Sequence, residues 1–426
     1  MITDSGRKSH FDFSLFFAVI LLWIIGIFLV FSATHINPNT AISGLFRSQI
    51  IWVIMGVLII LALVSIPTRL FYSLSYIIYG VSLLMLFYAL VGGVALKGAE
   101  RWISIGGLRV QPSEFAKIGL LFALAHYLSK NDISLIRISS FIVPGLLILA
   151  PFVFILKQPD LGTAIVFCVM SLPMFFWAGM SLLEIFFIIS PVISIVLSAI
   201  PLILAYGTTQ TSGIGSAIPW GIFFIVLGVV LYVTRPPTFI LVGVVVANLI
   251  AATITTVIWS SFLKDYQKGR IISFINPQAD AYGAGYQIIQ SKVAIGSGHI
   301  FGKGYLQGTQ TKLSYLPEQH TDFIFSVLGE QFGLVGCTVI ILIFLFVIIR
   351  ALATTHSIRN RFTNLLIVGA SSIVGFHMFI NIAMAIGIMP VTGLPLPFLS
   401  YGGSFTLTVA ILTGFILNAR VSSQDF

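Results

Sequence analysis

FSLFFAVILLWIIGIFLVFSA, residues 13–33, carries no charged side chain. A helix rises 1.5 Å per residue, so about 20 such residues cross the ~30 Å hydrocarbon layer of a bilayer. The run is too long for the apolar part of a cleavable leader and lacks a small-residue cleavage site, so it reads as a first membrane span. Eleven more runs follow, at 49–66, 71–95, 112–129, 139–157, 161–179, 182–206, 214–234, 237–263, 323–350, 363–386 and 403–419. Apolar residues make up 58% of the 426 residues and charged ones 8%, against about 45–50% and about 25% in soluble domains. The mean hydropathy is +1.07. These values exclude a soluble enzyme or binding module. They predict an all-α polytopic membrane protein, one membrane domain over residues 1–426 with about 12 transmembrane helices.

Orientation follows from Lys and Arg in the short loops. With the N-terminus inside, ten of them fall inside: Arg7, Lys8, Arg69, Lys130, Arg137, Arg235, Arg350, Arg359, Arg361 and Arg420. Five fall outside: Arg47, Lys97, Arg101, Arg109 and Lys157. Both termini are therefore expected in the cytoplasm, and the long polar loop 264–322 outside. Because the basic residues divide between inner flanks and outer loops, the net charge of +9 is no nucleic-acid signal. Cys168 and Cys337 fall in spans and read as small buried hydrophobes.

Two segments depart from hairpin-linked helices. Loop 264–322 holds 10 of the 35 charged side chains yet also contains apolar runs, which points to a segment folded back on the bundle and partly helical. MPVTGLPLPFLSYGGS, residues 389–404, has three prolines between two spans. Irregular backbone at membrane depth persists only where protein or a water-filled cavity covers it. Both segments are expected to form a re-entrant surface lining a cavity on the outer side.

Ionisable residues in or beside spans are the candidates for chemistry. Glu114 and Lys117, three apart in QPSEFAKIGLL, share a helix face and can pair, either as a packing device or as a site where Lys117 meets an anion. Arg101 beside Trp102 is either an interfacial anchor or a bidentate phosphate ligand. Asp160 in KQPDLGTA suits a helix N-cap. Asp280 in DAYGAGYQ (280–287) precedes glycines and is either a turn residue or a carboxylate presented into a cleft. Glu318, His320 and Asp322 in LPEQHTDF fit no usual zinc spacing. Local hydrogen bonding that ends the loop and caps the next helix is the structural reading of those three; Glu318 and His320, like Asp160, are also candidate substrate-binding residues.

Taken together, KGAERWISIGGLRVQPSEFAKI, QPDLGTA, DAYGAGYQIIQSKVAIGSG, LPEQHTDFIFSVLGE and NIAMAIGIMPVTGLPLPFLSYGGS resemble, in order, the signatures of the SEDS family (shape, elongation, division and sporulation) over residues 96–420. GTQTKLSYLPEQHTDF and GLPLPFLSYGGS are more similar to its elongation branch than to its division branch. The resemblance implies a peptidoglycan glycosyltransferase at the outer leaflet of the bacterial cytoplasmic membrane, acting on lipid II. It also implies a single-pass class B penicillin-binding protein as partner, together with the elongation machinery. It places the essential loop carboxylate on Asp280 and the functional basic residues on Arg101 and Lys117, with Glu114 beside the latter.

Three features depart from the family pattern. About 100 residues between QPDLGT and the loop make four spans instead of two, which implies an added helix pair within 182–262. His299 stands where glycine is common, and Gln331 where a second glutamate is frequent. The implied reaction joins a sugar hydroxyl to an anomeric carbon and expels polyprenyl pyrophosphate. Asp280 would be the general base. Arg101 and Lys117, helped by Lys303, would stabilise the leaving group. No cofactor has a motif here, and a bridging divalent cation (Mg²⁺ or Mn²⁺) would leave none, since Mg²⁺ needs few protein ligands. A lipid II flippase, a division-type polymerase and a scaffold for a separate transferase are the competing readings.

Overall fold

A computed structural model of the chain describes residues 11–35, 44–96, 99–105, 108–130, 139–205, 217–263, 265–280, 283, 285–313 and 315–421. Each of the twelve apolar runs is a helix: α1 (Phe13–Thr34), α2 (Leu45–Val64), α3 (Thr68–Gly92), α4 (Pro112–Lys130), α5 (Ser139–Lys157), α6 (Leu161–Trp177), α7 (Leu182–Ala205), α8 (Ile218–Thr234), α9 (Thr238–Val257), α12 (Ile324–Thr354), α13 (Arg361–Ala385) and α14 (Gly403–Val421). Loop 264–322 contributes α10 (Asp265–Ile275) and α11 (Tyr286–Ser297). Among the described residues nine helices are long and apolar enough to cross a membrane, and α6 and α8 are shorter apolar helices. α4 has the length but carries Glu114, Lys117 and Lys130.

One element has no counterpart in the all-helical expectation. Between α3 and α4 lie three antiparallel strands, β1 (Val94–Leu96), β2 (Ala99–Ile105) and β3 (Leu108–Val110), in the order β1-β2-β3. Ser104 pairs with Arg109 and Ala95 with Glu100. A segment this short and polar shows no helical period, and its pairing supplies the backbone partners that a loop at the membrane edge would otherwise lack.

The chain divides into two compact units, formed by the described residues within Met1–Asp132, Val143–Ala178 and Gln287–Phe426 and by those within Ile133–Ile142 and Gly179–Tyr286. At the centre of the first stand α13 and α14, 67% and 78% buried against 17% for α2. α14 packs along α2, α4 along α3, and α13 against α4 and α6. Asp12 caps α1 through Leu15 N–H at 3.3 Å and binds Arg350 Nε at 2.9 Å and Arg420, so the start of α1 and the end of α14 lie on one face. Burial pushes the Asp12 carboxyl up, but the hydrogen bonds from Ser14, Leu15 and Arg350 and the charge of Arg420 outweigh that and hold it below the usual carboxylate range. Cys168, expected buried, is exposed on the outer face of α6, while Cys337 is buried as expected.

The irregular segment between α13 and α14 is covered by protein, as its composition requires. Leu396 and Leu399 are fully buried. Its polar backbone finds partners: Ser400 O accepts from Gln49 Nε2 at 3.3 Å, and Leu396 N–H donates to Ser400 Oγ at 2.8 Å. Tyr401 N–H donates to His320 O at 2.9 Å.

α12 is broken at Gly333, where φ is 64° and ψ −161°. In an unbroken helix Leu334 and Val335 N–H would bond the Glu330 and Gln331 carbonyls. Segment 299–304 threads into the gap and satisfies all four groups. Lys303 and Gly304 N–H donate to Glu330 O and Gln331 O, both at 3.0 Å. Leu334 and Val335 N–H donate to His299 O and Ile300 O at 3.0 and 3.1 Å. Gly302, at φ 82°, approaches so closely that a Cβ would stand 2.1 Å from Gln331 O. Gly302→Ala should therefore destabilise the protein by about 2–6 kcal/mol, combining about 1–3 from left-handed backbone strain with about 1–3 from overpacking. Thermal unfolding in detergent measures it, and an unchanged midpoint would show that the threaded segment yields freely.

In the second unit α7 and α9 are joined by a polar seam. Asn248 Nδ2 donates to Ser190 Oγ at 2.8 Å and Ser198 Oγ to Thr255 Oγ1 at 3.0 Å, the interhelical bonding expected where lipid offers no partner. α8 adds Leu227 and Leu231 to an apolar cluster with Phe187, Ile240 and Val244, and leaves Ile225, Val229, Tyr232 and Val233 exposed. Beyond α10, a 3-10 turn at Pro277–Asp280 precedes α11.

Candidate active site

Pro112 opens α4, where its missing N–H costs nothing, and this start puts Glu114 and Lys117 on one face of the first turns. Both are buried, at 4% and 0% side-chain exposure. Lys117 Nζ donates to Glu114 Oε1 at 2.9 Å. Oε2 lies 2.8 Å from the same nitrogen without hydrogen-bond geometry, so it adds charge contact only. Lys117 also meets a residue that the sequence reading passed over: its Nζ is 3.1 Å from His377 Nε2, on α13. The Phe405 ring lies beneath it, 5.5 Å from Nζ to the centroid. The pairing predicted from spacing is present. The imidazole was detectable as an ionisable group in an apolar run.

Arg101, on β2, is held by the corner before α6. Its Nε donates to Gln158 O at 2.7 Å and an NH2 hydrogen to Pro159 O at 2.6 Å. Its remaining nitrogen is 3.4 Å from Asp160 Oδ2. Asp160 in turn caps α6 by accepting from Thr163 N–H at 3.1 Å, the role its spacing suggested. Arg101 and Asp160 are thus brought together, and the guanidinium fork serves carbonyls and a carboxylate of the chain itself.

Lys303 is paired as well, with Glu330 Oε1 at 3.0 Å. Glu330 is fully buried. Besides the ammonium it accepts from Thr309 Oγ1 (3.2 Å), Gln310 N–H (2.9 Å), Thr311 N–H (3.0 Å) and Thr311 Oγ1 (2.8 Å). It anchors segment 303–311 and was also missed, although a carboxylate inside run 323–350 is itself a signal.

The backbone of residues 320–322 lies against the irregular segment. Asn381 Nδ2 spans Asp322 O at 2.7 Å and Leu394 O at 2.8 Å. Ser400 Oγ donates to Thr321 O at 2.6 Å. The expected side-chain cap on α12 is absent: Phe323 occupies that position, and the Glu318 carbonyl instead takes the N–H groups of Thr321, Asp322 and Phe323. Apolar Phe323 is fully buried there and has no acceptor to offer. Among the described residues no three His, Cys, Asp or Glu side chains come together as a metal site. Asp280 ends its 3-10 turn and Tyr286 N–H closes on Gly283 O at 3.2 Å, but the Asp280 side chain lies outside the described residues, as does Lys97.

A polytopic helical bundle with paired charges buried among its spans defines an integral membrane protein with an ionic interior. The chain belongs to the FtsW/RodA/SpoVE family of cell cycle proteins, whose model matches residues 13–216 and 211–425. It is 34% identical to the peptidoglycan glycosyltransferase RodA of Treponema pallidum, over 97% of this chain and 98% of that one. It is 32% identical to the peptidoglycan glycosyltransferase MrdB of Escherichia coli, over 97% and 95%. Division-type relatives also match, such as the probable peptidoglycan glycosyltransferase FtsW of Trichlorobacter lovleyi at 31% over 97% and 93%. Among solved structures it resembles a chain of a peptidoglycan synthase complex that coordinates polymerization and crosslinking (TM-score 0.70, 26% identity, 98% and 99% covered). Thermus thermophilus RodA is similar too (TM-score 0.60, 26% identity, 96% of each chain).

Proposed function

We propose that the protein is a peptidoglycan glycosyltransferase of the elongation type, polymerising lipid II into glycan strands at the outer face of the bacterial cytoplasmic membrane. The end-to-end similarity to RodA and MrdB carries this reading. With the start of α1 and the end of α14 on one face, the positive-inside bias assigns that face to the cytoplasm and loop 264–322 to the outside. The added helix pair belongs to 182–262. Asp280 takes the proton of the attacking sugar hydroxyl as that oxygen bonds the anomeric carbon, and polyprenyl pyrophosphate departs.

The three cations assigned to the leaving group each hold a carboxylate: Lys117 with Glu114, Arg101 with Asp160, Lys303 with Glu330. Arg101 and Lys303 are 29% and 27% exposed and can reach an anion from where they stand, whereas Lys117 at 0% needs the site to open. A divalent cation would rest on the substrate phosphates and few protein oxygens. A closed ground state also fits activation by a single-pass class B transpeptidase. Purified protein should therefore polymerise lipid II slowly alone and faster in that complex. Equal rates with and without every class B protein of the same cell would remove the partner. Transport of lipid II without glycan product would favour the flippase.

A further inference from the structure

His377 sits in the middle of α13, fully buried, with a partner on each ring nitrogen. Nε2 is 3.1 Å from Lys117 Nζ and Nδ1 is 3.3 Å from Pro395 O. An ammonium has donors and no lone pair, and a carbonyl only accepts. One protonation state satisfies both: Nδ1–H donates to Pro395 and the bare Nε2 accepts from Lys117. An imidazolium would set an N–H against an ammonium. The Phe405 ring packs on the imidazole, 4.9 Å between centroids, and also underlies the ammonium. Asn381, one turn along α13, binds the neighbouring carbonyl of Leu394. One face of α13 therefore grips two successive carbonyls of the irregular segment.

We propose that His377 is a positioning residue which fixes the Lys117 ammonium and makes its placement depend on the Leu394–Pro395 backbone. Glu114 supplies the countercharge, but it shares a helix with Lys117 and cannot report the state of a segment nearly 280 residues away. His377 is the link between them. This rests on the assignment of Lys117 to the anionic lipid.

The test uses the active complex, three variants at position 377 and Lys117→Ala, alone and combined. Gln at 377 can turn its amide oxygen to Lys117 and its NH₂ to Pro395 O; Leu can reach neither; Asn is too short to hold both and replaces Leu should Leu fail to fold. His377→Gln should keep kcat/KM within about 3-fold, and His377→Leu should lose about 10-fold or more, chiefly by raising KM for lipid II. Added to Lys117→Ala, His377→Leu should cost less than about 2-fold more, because coupled residues are not additive. Small-reagent acetylation of Lys117 in the protein without its partner, read by mass spectrometry, should stay blocked in wild type and His377→Gln and appear in His377→Leu. The proposal is overturned if Gln is no better than Leu in folded protein, if the losses multiply with Lys117→Ala, or if Lys117 stays protected in the Leu variant. Normal lipid II kinetics in Lys117→Ala, with the acetylation pattern as expected, would sink the assignment of Lys117 and leave the positioning intact.

Discussion

Asp280→Asn is expected to lower lipid II polymerisation by about 10²-fold or more, while expression, thermal midpoint and lipid II binding stay close to wild type. Asn keeps the shape and turn propensity of Asp but cannot take up a proton, and a positioned base is worth about 10²–10⁴ in rate. Asp280 ends a short 3-10 turn ahead of Gly283, a position where turn-forming Asp and Asn are both favoured. The loss should fall on kcat, because the cations proposed to hold the lipid are untouched. Lipid II binding and glycan product, measured on one preparation, separate the outcomes. Glycan formed at the wild-type rate by Asp280→Asn would make Asp280 a turn residue and end its role as base. Loss of binding together with activity would make it a ligand instead.

Glu330→Gln is expected to destabilise the fold rather than the chemistry. Both carboxylate oxygens are surrounded by donors, so an amide NH₂ in place of either oxygen confronts N–H and O–H groups with another donor. Breaking a buried ion pair costs about 3–5 kcal/mol. Lys303 is 27% exposed, so water recovers part of this and the lower end of that range is expected. The visible sign is a lower unfolding midpoint with early proteolysis within 303–312. An unchanged midpoint and an intact segment would mean that the threading of 299–304 through the α12 break holds this region without the carboxylate.

The long apolar runs and the local pairings were legible from the start. Twelve runs became twelve helices because a chain in lipid must satisfy its backbone internally, and only length and apolarity are needed to force that choice. Asp160 capping α6 and Lys117 meeting Glu114 are contacts across three residues, which helical spacing settles before any packing occurs. The prolines of 389–404 likewise announced an irregular segment that protein would have to cover. Tertiary structure alone decided what lies across from these elements. His377 reaches Lys117 over 260 residues, and Arg101 finds the Gln158 carbonyl 57 residues on. The three strands needed pairing that no periodicity in KGAERWISIGGLRV displays. Gly333 looked like one more glycine in a span until segment 299–304 filled the break and took its four orphaned backbone groups. Spacing along a chain determines which side chains share a turn, but the partner of a buried charge is chosen by which helices pack together, and that choice minimises unsatisfied charge over the whole bundle at once.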